Sequence, residues 1–346
     1  MLTIDGSFGE GGGQILRTSL SLAALTGQEI RIENIRAGRE KPGLRPQHLT
    51  GALAVAQICG GELEGAQVGS QTLVFRPGEV RGGVYEFDVA KIRASAGSVN
   101  LVLQTVLWPL AFADKRSRVV IKGGTHVPFA PTFDYIQRTF LPTVGRFGLK
   151  CRCEMVKAGY FPVGGGEVVL EIEPVDSLKP VSFDRLEKPV RVELVSAVSN
   201  LPSHIAQRQL KTGLAYMRRK GVQASGEAVE YPSPGKGTVF FAAAESGDVK
   251  AGFQSLGELR KPAEKVAQDA CDEFGDYLGA GMALDKHLAD QIIIPVALAD
   301  GLSEFTTCEI TQHLLTNISV VRQLLDVHFH ISRGFGEPGQ VKRVEP

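Results

Sequence analysis

Apolar and polar positions along the chain switch repeatedly between the strand period and the helix period. Residues 1–5 read as a strand, a glycine-rich turn follows, and apolar positions recur at helix spacing over 14–25. A second helix is expected over 46–59, with Pro46 in the first turn where helices favour proline. Strands are expected over 63–68 and 71–76, around a Gly-Ser turn, and over 84–88. The signals then repeat as helix 96–113, strand 118–122, helix 132–147 and strands 150–157 and 167–173. A unit of two helices and a small sheet is thus used at least twice, at roughly 80-residue spacing. A third copy closes the chain, with a helix over 285–299, a strand over 304–308, a helix beginning near Thr311 and a strand over 327–332. Between the second and third copies the texture changes. A strand over 190–198 and helices over 205–220 and 258–278 point to a smaller inserted α/β domain. The expected division is 1–183 with 280–346 for a large domain and 184–279 for the insertion.

Composition narrows the function classes. The chain has 346 residues, 43% hydrophobic, enough for a sizeable core. Lys+Arg and Asp+Glu both number 38, so bulk attraction to nucleic acid is not indicated and any polyanion must be met by a local cluster. The N-terminus lacks a basic and apolar leader, and no apolar run approaches membrane-spanning length. Five cysteines, an odd number, read as reduced thiols of a cytoplasmic protein. Cys151 and Cys153 share a strand face, but no second pair at finger spacing accompanies them, which argues against zinc.

Several segments can carry chemistry. Gly9-Glu10-Gly11-Gly12-Gly13-Gln14 lies between a strand and a helix, where backbone N–H groups can cradle phosphate. It is neither a Walker A loop nor a dinucleotide fingerprint, and a tight turn needing positive φ explains the glycines equally well. A carboxylate among such amides repels an anion unless a cation bridges them, which makes Glu10 a metal-binding candidate. Gln14 and Arg17 share a helix face and can reach the same anion. Arg36, Arg39, Lys41 and Arg45 crowd one stretch ending in Gln47-His48, which suits a polyphosphate or simply a solvated loop. Gln104 offers an amide to a base or ribose, or is a surface glutamine. The rigid loop 123–131, ending in Pro131, can form an apolar wall for a purine, and Gly164-Gly165-Gly166 reads as a hairpin turn. His287-Leu288-Ala289-Asp290-Gln291 begins a helix in which Asp290 either binds a polar ligand or serves the helix dipole.

His313 concentrates the question. Leu314, Ile318, Val321 and Leu325 form one apolar face, while His313 and Asn317 lie together on another. With Thr311 as N-cap, the imidazole stands in the first turn, where the dipole disfavours imidazolium and welcomes an anion. The residues alone leave a capping or packing histidine open beside a nucleophile.

Taken together, these segments resemble the RNA 3′-terminal phosphate cyclase family. The resemblance runs through Asp5-Gly6 with Gly9-Glu10-Gly11-Gly12-Gly13-Gln14-Ile15-Leu16-Arg17, Ile35-Arg36-Ala37-Gly38-Arg39, Lys41-Pro42-Gly43-Leu44 and Gln47-His48-Leu49. It continues through Gly69-Ser70-Gln71, Phe75-Arg76-Pro77-Gly78, Ser95-Ala96-Gly97-Ser98, Leu101-Val102-Leu103-Gln104-Thr105 and Gly123-Gly124-Thr125. Gly159-Tyr160-Phe161-Pro162, Gly164-Gly165-Gly166 and His313-Leu314-Leu315-Thr316-Asn317 complete it; the match is weaker over the insertion.

The resemblance implies three repeated units of two helices on a four-stranded sheet, with a small α/β domain inserted in the last unit. It also implies an ATP-dependent ligase-type enzyme that acts on RNA 3′-phosphate ends through a covalent histidine–AMP, with a divalent metal, Mg or Mn. By matching position His313 is the nucleophile, and Glu10 the metal-binding carboxylate. Gln104 and the run His287, Leu288, Ala289, Asp290 and Gln291 contact the nucleotide beside Pro131, while Arg17, Arg36, Arg39 and Gln47 handle phosphates. His287 stands where many relatives carry a tyrosine, which puts nucleotide selectivity in doubt. The expected partners are RNA ends and ATP but no membrane, and a homodimer is allowed. A non-catalytic ribosome-assembly branch of the family, an enolpyruvyl transferase with comparable repeated units, and a simple RNA-end binding module are the alternatives. Neither of the first two requires His313.

Overall fold

In the computed structural model, residues 1–92 and 95–345 are described. Arg93, Ala94 and Pro346, which fall within the larger expected domain, lie outside the described residues. The first unit runs β1 (Leu2–Asp5), α1 (Gly13–Thr26), β2 (Ile30–Glu33), α2 (Pro46–Cys59), β3 (Glu62–Glu64) and β4 (Leu73–Arg76). Its sheet order is β1-β2-β4-β3. β1 and β2 are parallel because a helix crossover joins them, whereas β4 is antiparallel to both neighbours. The second unit comprises β5 (Val84–Asp88), α3 (Val99–Ala111), β6 (Ser117–Gly123), α4 (Phe133–Tyr135), α5 (Leu141–Gly145), β7 (Lys150–Lys157) and β8 (Gly166–Glu173). Its order, β5-β6-β8-β7, repeats the first.

The third unit begins at β9 (Ser182–Phe183) and is then interrupted. β10 (Arg191–Ser199), α6 (His204–Arg219), β11 (Gln223–Glu230), β12 (Gly237–Ser246), β13 (Val249–Leu256) and α7 (Ala263–Ala280) build a separate sheet of order β11-β10-β12-β13. Afterwards α8 (Lys286–Gln291), α9 (Ile293–Leu298), β14 (Glu304–Thr307), α10 (Gln312–Leu324), β15 (His328–Ile331) and β16 (Gly339–Val344) finish the third sheet. Read outward from β9 its order is β9-β14-β16-β15, the same pattern again, with β9 and β14 parallel. The insertion therefore occupies the first crossover of the third unit.

One apolar cluster runs through all three units and takes in Val195, Phe241 and Val249 of the insertion, which also has its own core around Phe240, Phe253 and Phe274. Helix α1 packs against α2, α3 and α10 at once. Its contact with α3 includes a polar bolt. Pro109 has no N–H to give the carbonyl of Thr105, and Ser21 of α1 donates its hydroxyl to that carbonyl at 2.7 Å. No helix among the described residues is long and apolar enough to cross a membrane.

Several boundaries differ from the periodicity, each for a local reason. The strand expected over 63–68 ends at Glu64, because Gly65 and Gly69 take left-handed conformations and turn the chain. The helix expected over 132–147 contains a π turn at Ile136–Phe140, since Pro142 cannot bond the carbonyl of Arg138. In the same way Pro295 cannot bond Gln291, and the helix expected over 285–299 breaks at Ile292 into α8 and α9. The helix expected over 258–278 starts only behind Pro262.

Asp285 ties the parts together. Its buried carboxylate caps α8 by accepting the N–H groups of His287 and Leu288, both at 2.9 Å. It also accepts the Tyr135 hydroxyl of the second unit at 2.9 Å and the Gly252 N–H of the insertion at 3.1 Å. Burial, its largest influence, pushes this carboxyl above its usual range, and the four donors oppose that shift. Asp285→Ala removes a cap and leaves buried donors unmet, so it should cost roughly 3 kcal/mol, read as a lower urea midpoint. A midpoint within error of wild type would rule out this hub role.

Candidate active site

The N-terminal ends of α1 and α10 converge on a polar cluster. Thr311 caps α10, accepting the Leu314 N–H at 3.1 Å, and Leu314, Ile318 and Val321 are buried. That anchoring turns His313 and Asn317 toward α1. Asn317 accepts the Thr18 hydroxyl at 2.6 Å and donates to the Asp290 carbonyl at 2.7 Å. Gln14 then joins both helices to α8: its Nε2 donates to Asp290 Oδ2 at 2.7 Å, and its Oε1 lies 2.7 Å from His313 Nδ1. The ionised carboxylate can only accept, which fixes the amide so that its oxygen faces the ring. That oxygen can only accept as well, so Nδ1 carries the proton and Nε2 keeps its lone pair.

Glu10 completes the cluster from the glycine loop. One of its oxygens is 2.9 Å from His313 Nδ1, and the other pairs with Arg39. Gly9 adopts φ +60, and a Cβ there would collide with Thr316 Oγ1. The loop thus lies directly on α10, and glycine is needed at this point for the turn and for the close approach. The Glu10 N–H reaches Thr316 Oγ1 at 3.3 Å.

Charge and burial set the ionisation states. Burial raises the Asp290 carboxyl to about 6, against the pull of His313, Gln14 and Arg17. Burial also lowers His313 below the ordinary imidazole value; Asp290 opposes this, while Arg17 and Arg39 add to it. The ring is therefore neutral near pH 7, with its side chain 48% exposed. Arg17 is lowered to about 10, chiefly by burial, and Asp290 opposes the shift. His48, buried beside Arg36, Arg17 and Arg45, falls to about 3 and stays neutral. Its Nδ1 accepts the Arg45 N–H at 3.2 Å, at the start of α2.

The other expected residues divide. Gln104 donates to Gln291 Oε1 at 2.6 Å, and Gln291 donates to the His287 carbonyl at 2.8 Å, so α3 and α8 meet there. Pro131 is tied to the same helix as Gln104, its carbonyl held at 2.8 Å by Asn100, one turn before Gln104. Leu288 and Ala289 point into the core, and both amides bond Asp285, which leaves neither a side chain nor an N–H for a ligand. His287 is exposed at the rim of a cleft also lined by Phe253, Tyr277, Lys286, Cys308 and Glu309. Arg36 braces its own loop through the carbonyls of Lys41 and Gly43, at 2.7 and 2.9 Å. Gln47 accepts the Ser98 N–H at 2.9 Å, tying α2 to the start of α3. Sequence reasoning put Gln14 near the anion but missed its hold on the ring, and it missed the neutral His48. Spacing gave no sign of either, since both depend on contacts between distant elements.

A family model described as RNA 3′-terminal phosphate cyclase matches residues 8–331 of the chain. The chain belongs to the RNA 3′-terminal phosphate cyclase family. Proteins named RNA 3′-terminal phosphate cyclase from Trichormus variabilis and Methylococcus capsulatus are 44% and 46% identical to it. Those alignments cover 93% of this chain in both cases, and 94% and 90% of the relatives. A protein of the same name from Pyrobaculum neutrophilum is 42% identical over 95% of this chain and 94% of its own length. Among solved structures, the enolpyruvyl transferase NikO from Streptomyces tendae matches with TM-score 0.37 and 12% identity, over 98% of this chain and 47% of that one. That likeness is too low to bear on fold or activity. The span matched by the cyclase family includes the whole cluster from Glu10 to Asn317.

The electrostatics make a direct prediction. An NMR titration of the His313 ring should show a midpoint below 6.5, with the proton on Nδ1 in the neutral form. Asp290→Asn removes the carboxylate that favours imidazolium, so it should move the midpoint lower still. An upward shift would contradict this account of the site.

Proposed function

We propose that this chain converts an RNA 3′-terminal phosphate into a 2′,3′-cyclic phosphodiester with ATP as second substrate and His313 as covalent nucleophile. One observation carries the reading above all: Gln14 holds Nδ1 of a neutral, half-exposed imidazole and leaves Nε2 free at a helix N-terminus. In the first step Nε2 attacks the α-phosphorus and pyrophosphate departs, leaving AMP on the ring. An oxygen of the RNA 3′-phosphate then attacks that phosphorus, and the imidazole leaves. Finally the neighbouring 2′-hydroxyl attacks the 3′-phosphorus, losing its proton and expelling AMP. The detour has a chemical reason. A bare 3′-monophosphate would have to expel an oxide to close the ring, whereas AMP is a good leaving group.

The residues divide the remaining work. Arg17, Arg39 and, once its loop reorganises, Arg36 meet phosphate charge together with Gln47. His287, Asp290, Gln291 and Gln104 border the nucleotide beside Pro131, while Leu288 and Ala289 shape that wall from within the core. Among the described residues no cluster of three or more His, Cys, Asp or Glu forms a closed metal cage. A single carboxylate, Glu10, fits the open kind of site that Mg or Mn completes with substrate phosphates and water. A metal bound there would neutralise phosphate charge. Gln14 keeps the ring oriented when Glu10 turns to that task.

Incubation with α-labelled ATP and Mg or Mn should leave acid-labile, base-stable label on the wild-type protein and none on His313→Ala. Unlabelled wild type, or equal labelling of the variant, would sink the mechanism. Gln14→Ala should slow labelling roughly 10²-fold by releasing the ring. A 3′-phosphorylated oligoribonucleotide should end as a 2′,3′-cyclic phosphate with release of AMP, whereas one ending in a 2′-deoxynucleotide should stop at the adenylated 3′-phosphate. Release of AMP with a cyclised end from the deoxy substrate would disprove ring closure by the 2′-hydroxyl.

A further inference from the structure

Four phenylalanines are exposed among the described residues: Phe8, Phe129, Phe161 and Phe335. A single exposed aromatic ring needs no explanation. Two of these, however, sit on loops that are both held against the start of α10, the helix that carries His313. Phe8, 49% exposed, precedes Gly9, the residue that lies on Gln312 and Thr316. Phe335, 65% exposed, precedes Gly336, whose N–H donates to the Ile310 carbonyl at 2.9 Å. Ile310 in turn donates its own N–H to the Glu337 carbonyl at 2.8 Å, so this loop is bonded in both directions to the residue just before the Thr311 cap. Both loops are therefore tethered, through residues next to the two phenylalanines, to the helix start that carries the nucleophile. Exposed cations accompany both: Arg39, which pairs with Glu10 of the glycine loop, with Lys41 two residues further on, and Arg333 two residues before Phe335. Phe335 and Arg333 also lie beyond residue 331, where the family match ends.

We infer that Phe8 and Phe335 form a stacking platform for the terminal bases of single-stranded RNA, with Lys41 and Arg333 taking the adjoining backbone phosphates. Aromatic faces alternating with cations are what a single-stranded nucleic acid end requires. Every base offers a π face, so such binding tolerates any sequence, and the cations supply locally the backbone term that a chain of zero net charge does not supply in bulk. The inference rests on the RNA-end reading above. It adds that the last nucleotides, and not only the phosphate, are held by the protein.

The test uses the full chain and a 3′-phosphorylated oligoribonucleotide carrying 2-aminopurine at its last two positions. Binding to wild type should quench the fluorophore by stacking. Phe8→Ala and Phe335→Ala should each lose much of the quench and raise the KM for the oligonucleotide between about fivefold and a hundredfold. Tryptophan at either position should restore both readings, and leucine should not, which separates stacking from packing. Val84→Ala, an exposed apolar residue at the second unit's sheet edge, is the matched control and should change neither. Quench and KM within twofold of wild type in both alanine variants would overturn the platform. So would rescue by leucine equal to tryptophan, or a change of oligomeric state on gel filtration with RNA binding intact. Wild type that quenches but takes no label from ATP would count against the catalytic reading and leave the platform standing.

Discussion

The Gln14 amide holds three elements at once, with its nitrogen on Asp290 of α8 and its oxygen on His313 of α10. Each link in this chain is directional. The ionised, partly buried carboxylate can only accept, so it orients the amide, and the amide oxygen can only accept, so it orients the imidazole. Asn317 adds a second strap, binding Thr18 of α1 and the Asp290 backbone. The site is thus less a pocket lined by residues than a seam between two helix ends, held in register by side-chain hydrogen bonds that cross it.

The repeated fold explains where that seam falls. Each unit contributes a parallel strand pair with a helix between, followed by a second helix and two antiparallel strands. Three copies packed through their helices bring α1 against α3 on one side and α10 on the other. Functional side chains then come from helix starts in all three units: the glycine loop before α1 and the Ser98 cap of α3, which are first helices of their units, and the Thr311 cap of α10, a second helix. Inserting a domain in the first crossover of the third unit leaves all these starts in place. Asp285 links that insertion to the very helix that carries Asp290, and this gives the inserted domain a route to the site.

Much of this was legible from residue order. The helix of His313 and its Thr311 cap, the helix at Pro46 and the strand–helix alternation follow from periodicity and capping chemistry, and the structure has each of them. The cyclase motifs named the family, because they recur in order along both flanks. Short strands such as Ile30–Glu33 and Gly339–Val344 escaped notice; four to six residues carry too little periodicity to stand out. The split of 285–299 was hidden because its cause, Pro295, acts on a carbonyl four residues away. Leu288 and Ala289 were expected at the nucleotide by matching position in the family. Helix geometry buries their side chains in the core, which the motif alone did not show.

Pro109 shows a different economy. A proline inside α3 is ordinarily a flaw, since it leaves the carbonyl of Thr105 without its helical partner. Here that vacancy is the socket for Ser21. The attachment point is a backbone atom, so the side chain at position 105 can change without loosening it. Replacing Pro109 with a residue that has an N–H would close the helix on itself and shut the socket. A mutation that improves one helix by every local measure would then work against its joint with the next.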